Sequence, residues 1–433
     1  MSSSLQIPTT AVPGLDAALL ERIAKSSLPP AIVVGTDVTG LAMARALARH
    51  GVPVLGVDSL RRRHIGHSGA FHLLLCRDGF RTPAFVEWLE SLAHALPRRP
   101  VLFLSMDEHV SIVGEHGQHL RSLYQLDLPT PDAVDLLMNK QRFTAHARER
   151  GWPVPQTLFA DAEAELEAGL ADLIFPVVLK PRIKNSLFRL HSPAKAFHCA
   201  DPSAARDAYR LVAQWEPEVV VQQWIPGGDS EVWFSFHYFD HKLEEVAAFE
   251  GRKIRQWVPE CGSTSSAIGV PVARVSDLSR TILRETGCVG LGSVEYKRDP
   301  RTDRFYIMEP TVGRANLQVG VAIANGVNII ARGYFHLIGV PYPVAEPVTY
   351  HRKWVLLGSD LRSAAYYVRR GDLTWRAYAA ALRGPKEFAV YTRHDPRVLA
   401  AAVSDWVVGK PVRLVRRVLR RLSHRSTRES GEP

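Results

Sequence analysis

The feature that most restricts the fold is the run Ala31-Ile-Val-Val34. It leads through Gly35-Thr-Asp-Val-Thr-Gly40 into a helical stretch over Thr39–His50. Gly51 stops that helix, and a second apolar run, Pro53–Val57, ends at Asp58. Strand, glycine-rich turn, helix and strand within about 30 residues make a βαβ unit, whose parallel strands are buried on both faces. The ordered chain therefore opens with a Rossmann-like α/β layer. His72–Leu75 and Val101–Leu104 read as further strands, with a helix over Pro83–Leu96 between them. The Gly35–Gly40 turn is not a P-loop, because Leu41-Ala42 stand where Lys-Ser/Thr would be needed. A dinucleotide fingerprint fits poorly too: Asp37 fills the second glycine position, although Asp58 ends its strand as a ribose-binding carboxylate would. The plainer reading is a tight strand-to-helix turn, or a turn that touches substrate.

The chain has 433 residues, enough for two to four domains at about 100–200 residues each. No apolar run approaches the ~20 residues of a spanning helix. The first residues lack a basic stretch followed by an apolar one, so no secretory signal is expected. Cys76, Cys199, Cys261 and Cys288 are far apart and form no C-x-x-C pair, which reads as reduced thiols in a cytoplasmic protein.

After Pro129-Thr-Pro131 the pattern changes. A polar helix over Asn139–Arg150 begins with Lys140, and an extended segment follows at Val154–Leu158. Strands are expected at Phe175–Pro181, Val219–Ile225, Glu231–Tyr238, Leu243–Glu250, Gly290–Lys297 and Phe305–Glu309. Helices are expected at Ser203–Trp215 and Ser276–Thr286, Gly262–Ser266 reads as a loop, and the chain beyond Val340 reads as mainly helical. This middle region is α+β, with antiparallel hairpins.

Its charged groups recur in a telling order. Lys140 and Lys180 are cations suited to phosphate, the second at a strand end. Gln222–Ile225 ends a strand with backbone donors and acceptors, and Asp229 and Glu231 follow. Arg252, Lys253 and Arg255 are clustered cations that could neutralise charge building up in a transition state. Glu295 and Glu309 sit on two strands of one hairpin, a hard-oxygen pair suited to Mg²⁺ held by few protein ligands plus phosphates. Taken singly, each has an ordinary surface or ion-pair reading, such as Glu295 and Glu309 paired with Lys297 and Arg304. Their order along the chain is what points to nucleotide chemistry.

That order resembles the ATP-grasp superfamily over roughly residues 30–340. The resemblance is carried by VVGTDVTGLAMARALARHGVPVLGVD, MNKQRFTAHARERGWPVPQTLF, FPVVLKP, VVVQQWIPGGDSE and GSVEYKRDPRTDRFYIMEPTVGR. Within the superfamily, FEGRKIRQWVP and the Gly/Ser-rich run after it look most like the carboxylate–amine ligases that include D-aspartate ligases. The resemblance implies a flexible leader (1–28), a Rossmann-like preATP-grasp domain (29–128) and a two-subdomain ATP-grasp domain (129–340) with a lid near 155–225. A helical extension (341–409) and a basic tail (410–433) complete the division. It also implies ATP, Mg²⁺ (or Mn²⁺ in its place), a small-molecule or peptide-like carboxylate and an amine. Lys140 and Lys180 would meet the ATP phosphates, Gln222 and Ile225 the adenine, and Asp229 or Glu231 the ribose. Glu295, Glu309 and Thr311 would hold the metal. Arg314, with Lys253 or Arg255, would face the γ-phosphate and the acyl-phosphate oxygens.

Two departures stand out. The family's E-x-N-x-R becomes Glu309-Pro-Thr311-Val-Gly-Arg314, with Asn316 as a substitute amide. The flap over the phosphates, Arg182–His191, has no glycine, leaving Lys184, Asn185 or Ser186 for phosphate contacts. An ATP-binding protein without turnover, and a carboxylase or carbamoyl-phosphate type of enzyme, are the alternatives within the same fold.

The net charge of +10, from 54 Lys+Arg against 44 Asp+Glu, raises nucleic acid as a partner, but no basic–aromatic platform or recognition module accompanies it. Much of the excess lies in 410–433, with eight Lys/Arg against two Glu and with Val412, Val415, Val418, Leu419 and Leu422 at helical spacing. Such a segment fits a peripheral contact with an anionic inner-membrane face as well as it fits a solvated arginine face.

Overall fold

The computed structural model describes residues 12–404, except 63, 78, 81–82, 183–195 and 345–346. The basic tail, the first residues of the leader and most of the flap lie outside the described residues. A short helix, Ala17–Lys25, precedes the first sheet.

The first sheet holds four parallel strands, β1 (Ala31–Val34), β2 (Val54–Asp58), β3 (His72–Leu75) and β4 (Val101–Leu104), in the order β3-β2-β1-β4. Both faces are covered: Ile32 and Val34 enter one apolar cluster, Ala31 and Val33 another. The β1 turn works as a structural device. Asp37 caps the helix Val38–Ala48 by accepting from the Thr39 and Gly40 amides (3.0 Å each). A Cβ at Gly40 would lie 1.8 Å from the Gly35 carbonyl oxygen, so helix and strand meet this closely only with glycine there. Asp58, the ribose-like carboxylate, points inward instead. It accepts from the Thr36 amide (2.9 Å), the Thr36 hydroxyl (2.8 Å) and Arg62 Nε (3.0 Å).

The second sheet is antiparallel: β5 (Thr157–Ala160), β6 (Val177–Pro181), β7 (Phe197–Cys199) and β8 (Val219–Gln223), ordered β5-β8-β6-β7. The helices Glu163–Leu170 and Pro202–Val212 cover one face, burying Leu166, Leu170 and Val212 against Val177, Leu179 and Val221. Strand alternation then turns Val178 and Lys180 to the other face.

The third sheet has seven strands: β9 (Val232–Phe239), β10 (Glu245–Trp257), β11 (Ser263–Gly269), β12 (Gly290–Asp299), β13 (Arg304–Val312), β14 (Lys353–Val355) and β15 (Lys386–Phe388). They run β13-β12-β9-β10-β11-β14-β15, antiparallel except for β14-β15. Two sequence expectations change here. The run expected as a loop at Gly262–Ser266 is largely strand β11, whose small side chains fit beneath the helix Leu357–Arg370. Ser266 Oγ donates to the buried Asp360 of that helix at 2.6 Å. The region beyond Val340 is not all helical, because β14 and β15 extend the sheet at its β11 edge.

The C-terminal part also returns to the first sheet. Asp395 accepts from Arg45 (Nη2 2.8 Å, Nε 3.1 Å), Ser68 Oγ (2.5 Å) and the Gly69 amide (3.1 Å). Among the described residues, no helix is long and apolar enough to cross a membrane.

Candidate active site

The second sheet's open face looks across at the third sheet, and a cavity of about 1080 Å³ lies between them. From the second sheet come Val178 and Lys180 on β6 and Val220 and Gln222 on β8, which share a face because Val178 pairs with Gln222 and Lys180 with Val220. Ile225, just past β8, closes this wall. Gln222 is steadied by its own amide, which donates to Thr157 Oγ1 at 3.0 Å.

The floor is the β12–β13 hairpin. Glu295 stands directly opposite Glu309, and Ser293 opposite Thr311. A bulge follows Glu295 in the ladder, which sets Met308 into the cavity lining beside Glu309. Each carboxylate has a lysine. Lys253 Nζ lies 2.8 Å from Glu295 Oε1, and Lys140 Nζ lies 3.4 Å from Glu309 Oε2. Lys140 opens its helix, Lys140–Glu149, which Asn139 caps. Burial pushes the Glu295 carboxyl up, the Lys253 ammonium pulls it down, and the facing Glu309 charge adds to the rise; the outcome is an upward shift. Two carboxylates and the Thr311 hydroxyl on one face form a hard-oxygen donor set, so these residues fit a divalent cation such as Mg²⁺.

Of the residues singled out from sequence, Lys140, Lys180, Gln222, Ile225, Lys253, Glu295, Glu309, Thr311 and Arg314 all line this cavity. Arg314 is held by Asp107 of the first layer through Nε (2.6 Å) and Nη2 (3.0 Å). Asn316, the substitute amide, also lines it, and its Oδ1 accepts from Ser293 Oγ at 2.9 Å.

Three residues point elsewhere. Arg255 is buried against Asp360 in a fork of two bonds (2.9 and 2.7 Å), with its guanidinium 4.9 Å from the Tyr378 ring centre. The cause is a pair of register shifts in β10–β11 around Arg255, which put Lys253 and Gln256 on the cavity side and turn Arg255 away. Asp229 accepts from the Gln256 amide (2.8 Å), Gln256 Nε2 (3.0 Å) and the Glu260 amide (2.8 Å), so it braces the loop after β10. Glu231 is paired with Arg298 at 2.7 Å. Neither carboxylate lines the cavity, so the Asp229-or-Glu231 choice for ribose finds no support in the geometry.

Among the lining residues left unassigned from sequence, two polar ones stand out. Lys297 donates to the carbonyls of Gly227 (2.6 Å) and Gly228 (2.7 Å), tying the turn after β8 to the floor. Burial lowers its pKa, and the nearby Asp229 and Glu231 charges oppose that shift. Its position two residues after Glu295, on the same strand face, was the available signal. Gln256 accepts from Lys253 Nζ at 3.0 Å, and only the register shifts bring it into the site.

Comparison with known proteins agrees with this architecture, although no family model matches the chain. A stretch of 125 residues is 30% identical to D-alanine–D-alanine ligase of Paracidovorax citrulli, covering 27% of this chain and 34% of the ligase. A stretch of 130 residues is 32% identical to the same-named enzyme of Gloeobacter violaceus, covering 28% of this chain and 40% of that one. The chain thus matches between a third and two fifths of the length of these relatives. Among solved structures, the biotin carboxylase domain of Hydrogenobacter thermophilus 2-oxoglutarate carboxylase, in complex with MgADP, ADP and bicarbonate, superposes with a TM-score of 0.56 at 11% identity, covering 76% of this chain and 74% of that one. N5-carboxyaminoimidazole synthetase from Staphylococcus aureus gives 0.55 at 13% identity over 80% and 87%. At such identities the likeness is one of fold. In fold the chain is similar to these carboxylase and synthetase structures, and over about a quarter of its length it is similar in sequence to D-alanine–D-alanine ligases.

Proposed function

We propose that this chain is an ATP-dependent ligase that activates a carboxylate as an acyl phosphate and joins it to an amine, with release of ADP and phosphate. The observation that carries the reading is the facing pair Glu295 and Glu309, each with a lysine, on the floor of a cavity whose other wall carries Lys180.

A carboxylate resists attack by an amine because its charge is delocalised and its leaving group would be oxide. Transfer of the γ-phosphoryl group to one carboxylate oxygen makes phosphate the leaving group. The amine then adds to the acyl carbon, loses a proton and expels phosphate, which leaves an amide. Such chemistry asks a protein mainly for positioning and charge neutralisation.

In this reading Val178, Val220, Ile225 and Met308 offer an apolar slot for the purine, with the Gln222–Ile225 backbone at its edge. Lys140 and Lys180 meet the phosphates. Glu295, Glu309 and Thr311 hold Mg²⁺, which when bound neutralises phosphate oxygens. Lys253 and Arg314 face the oxygens of the acyl phosphate, and Asp107 orients Arg314. The second sheet with its two helices forms a lid that closes over the site and keeps water from the acyl phosphate.

The deciding experiment is an ADP-release assay with pooled carboxylates, amino acids and bicarbonate, each supplied with and without amines. Release that requires both an acid and an amine supports the ligase. Release with bicarbonate alone points to the carboxylase type of reaction, and tight ATP binding with no turnover in any pool overturns the enzymatic reading.

A further inference from the structure

At the far end of β9 from the cavity, a second cluster of metal-competent side chains has no part in the proposed reaction. Val232, at the start of β9, lines the cavity. Asp240 follows the strand's other end, about 26 Å away along eight residues. There the β9–β10 turn meets the last turn of the helix Ile329–Leu337. Asp240, His241 and His336 bring one ligand atom each to within 4.8 Å of one another.

Several features make this arrangement more than a chance meeting. The Asp240 carboxylate is buried, and the turn fixes it through Oδ1, which accepts from the Lys242 and Glu244 amides at 2.8 Å each. Those bonds hold the group in place without using Oδ2. His336 sits in the last turn of its helix, the end whose carbonyls favour positive charge. Behind the trio, the half-buried Asp127 accepts from Tyr238 Oη at 2.9 Å and feels both imidazoles and the Asp240 charge. Two carboxylates, two imidazoles and a helix C-terminus leave a field that a cation would relieve. His241 is exposed, so the site opens to solvent.

We infer that Asp240, His241 and His336 form a second metal site, separate from the nucleotide cavity, that takes a borderline transition-metal ion, Zn²⁺ foremost. Two imidazoles with one carboxylate suit such an ion and disfavour Mg²⁺, which takes oxygen ligands. Three protein ligands leave a position open for water. Bound there, the ion staples the β9–β10 turn to a helix almost one hundred residues further along the chain. The inference is independent of the ligase reading.

The test uses the full chain, stripped with chelator and titrated with Zn²⁺ by calorimetry, with Co²⁺ absorption as a spectroscopic check. Wild type is expected to show one saturable site and an unfolding midpoint that rises with Zn²⁺. His241→Ala, a change at an exposed position, is expected to weaken binding by at least about tenfold and to abolish the midpoint shift. His336→Gln should do the same, whereas His119→Ala, at another exposed imidazole–carboxylate pair, should leave both unchanged. Wild-type affinity and stoichiometry in His241→Ala, or no saturable binding by the wild type, overturns the inference.

Discussion

Glu295 and Glu309 are cross-strand partners in the β12–β13 ladder, two carboxylates facing one cavity at the same level. Like charges directly opposite each other destabilise a sheet. Here the cost is offset by Lys253 and Lys140, and the proposed function seats a divalent cation on the pair. Glu309→Gln should therefore lower Mg²⁺-dependent ADP release by about 10²–10³-fold while leaving the fold intact. The check is a Mg²⁺ titration of turnover beside circular dichroism; undiminished Mg²⁺-dependent turnover in the variant rules out the metal assignment.

Lys253 offers a separate test, because its buried ammonium serves the partly buried Glu295. Lys253→Met strands that carboxylate and should cost about 2–4 kcal/mol of stability. Lys253→Met/Glu295→Gln should recover much of the loss. Chemical denaturation of both variants measures this, and a double variant no more stable than Lys253→Met would show that the pair is not coupled.

Arg255 belongs to the fold and not to the chemistry. Arg255→Met leaves Asp360 buried without its guanidinium, and about 3 kcal/mol of destabilisation is expected. Protein that still folds should keep KM for ATP within about twofold, since that residue lines no part of the cavity. A large rise in KM with unchanged stability would return Arg255 to the site.

The first layer carries a pH signature. Burial lowers the His109 imidazole to about 4, from an ordinary value of about 6.5. Between those values the unfolded chain takes up a proton that the folded one refuses, so stability falls as pH drops through that window. It is flat with respect to this group above it. The full effect is about 3 kcal/mol. His109→Phe should flatten the stability profile between pH 6.5 and 4, as read from denaturation midpoints; an unchanged slope would mean that the ring is not held neutral.

Much of this was legible in the sequence because it depends on local periodicity and order. The βαβ opening, the Lys180 strand and the two glutamate strands announce themselves through alternation and turns, and nine of the twelve site residues read from sequence line one cavity. What was hidden depends on register. The shifts that separate Lys253 from Arg255 leave no trace in R-K-I-R, where plain alternation puts both on one face. Asp229 and Glu231 follow β8 as ribose carboxylates would, yet backbone amides and Arg298 claim them, partners that only the tertiary fold supplies. Likewise the serines of β11 look like a loop until Asp360, some ninety residues further on, is seen to need their hydroxyls.

The bond between Arg45 and Asp395 has a consequence for how the molecule is made. Its two ends are 350 residues apart, and Arg45 is nearly enclosed among its neighbours. During synthesis the first sheet emerges early, but its arginine has no counter-charge until the ribosome has translated almost the whole of the described chain. Of the three sheets, the Rossmann-like one is thus the first to be made and among the last to be finished.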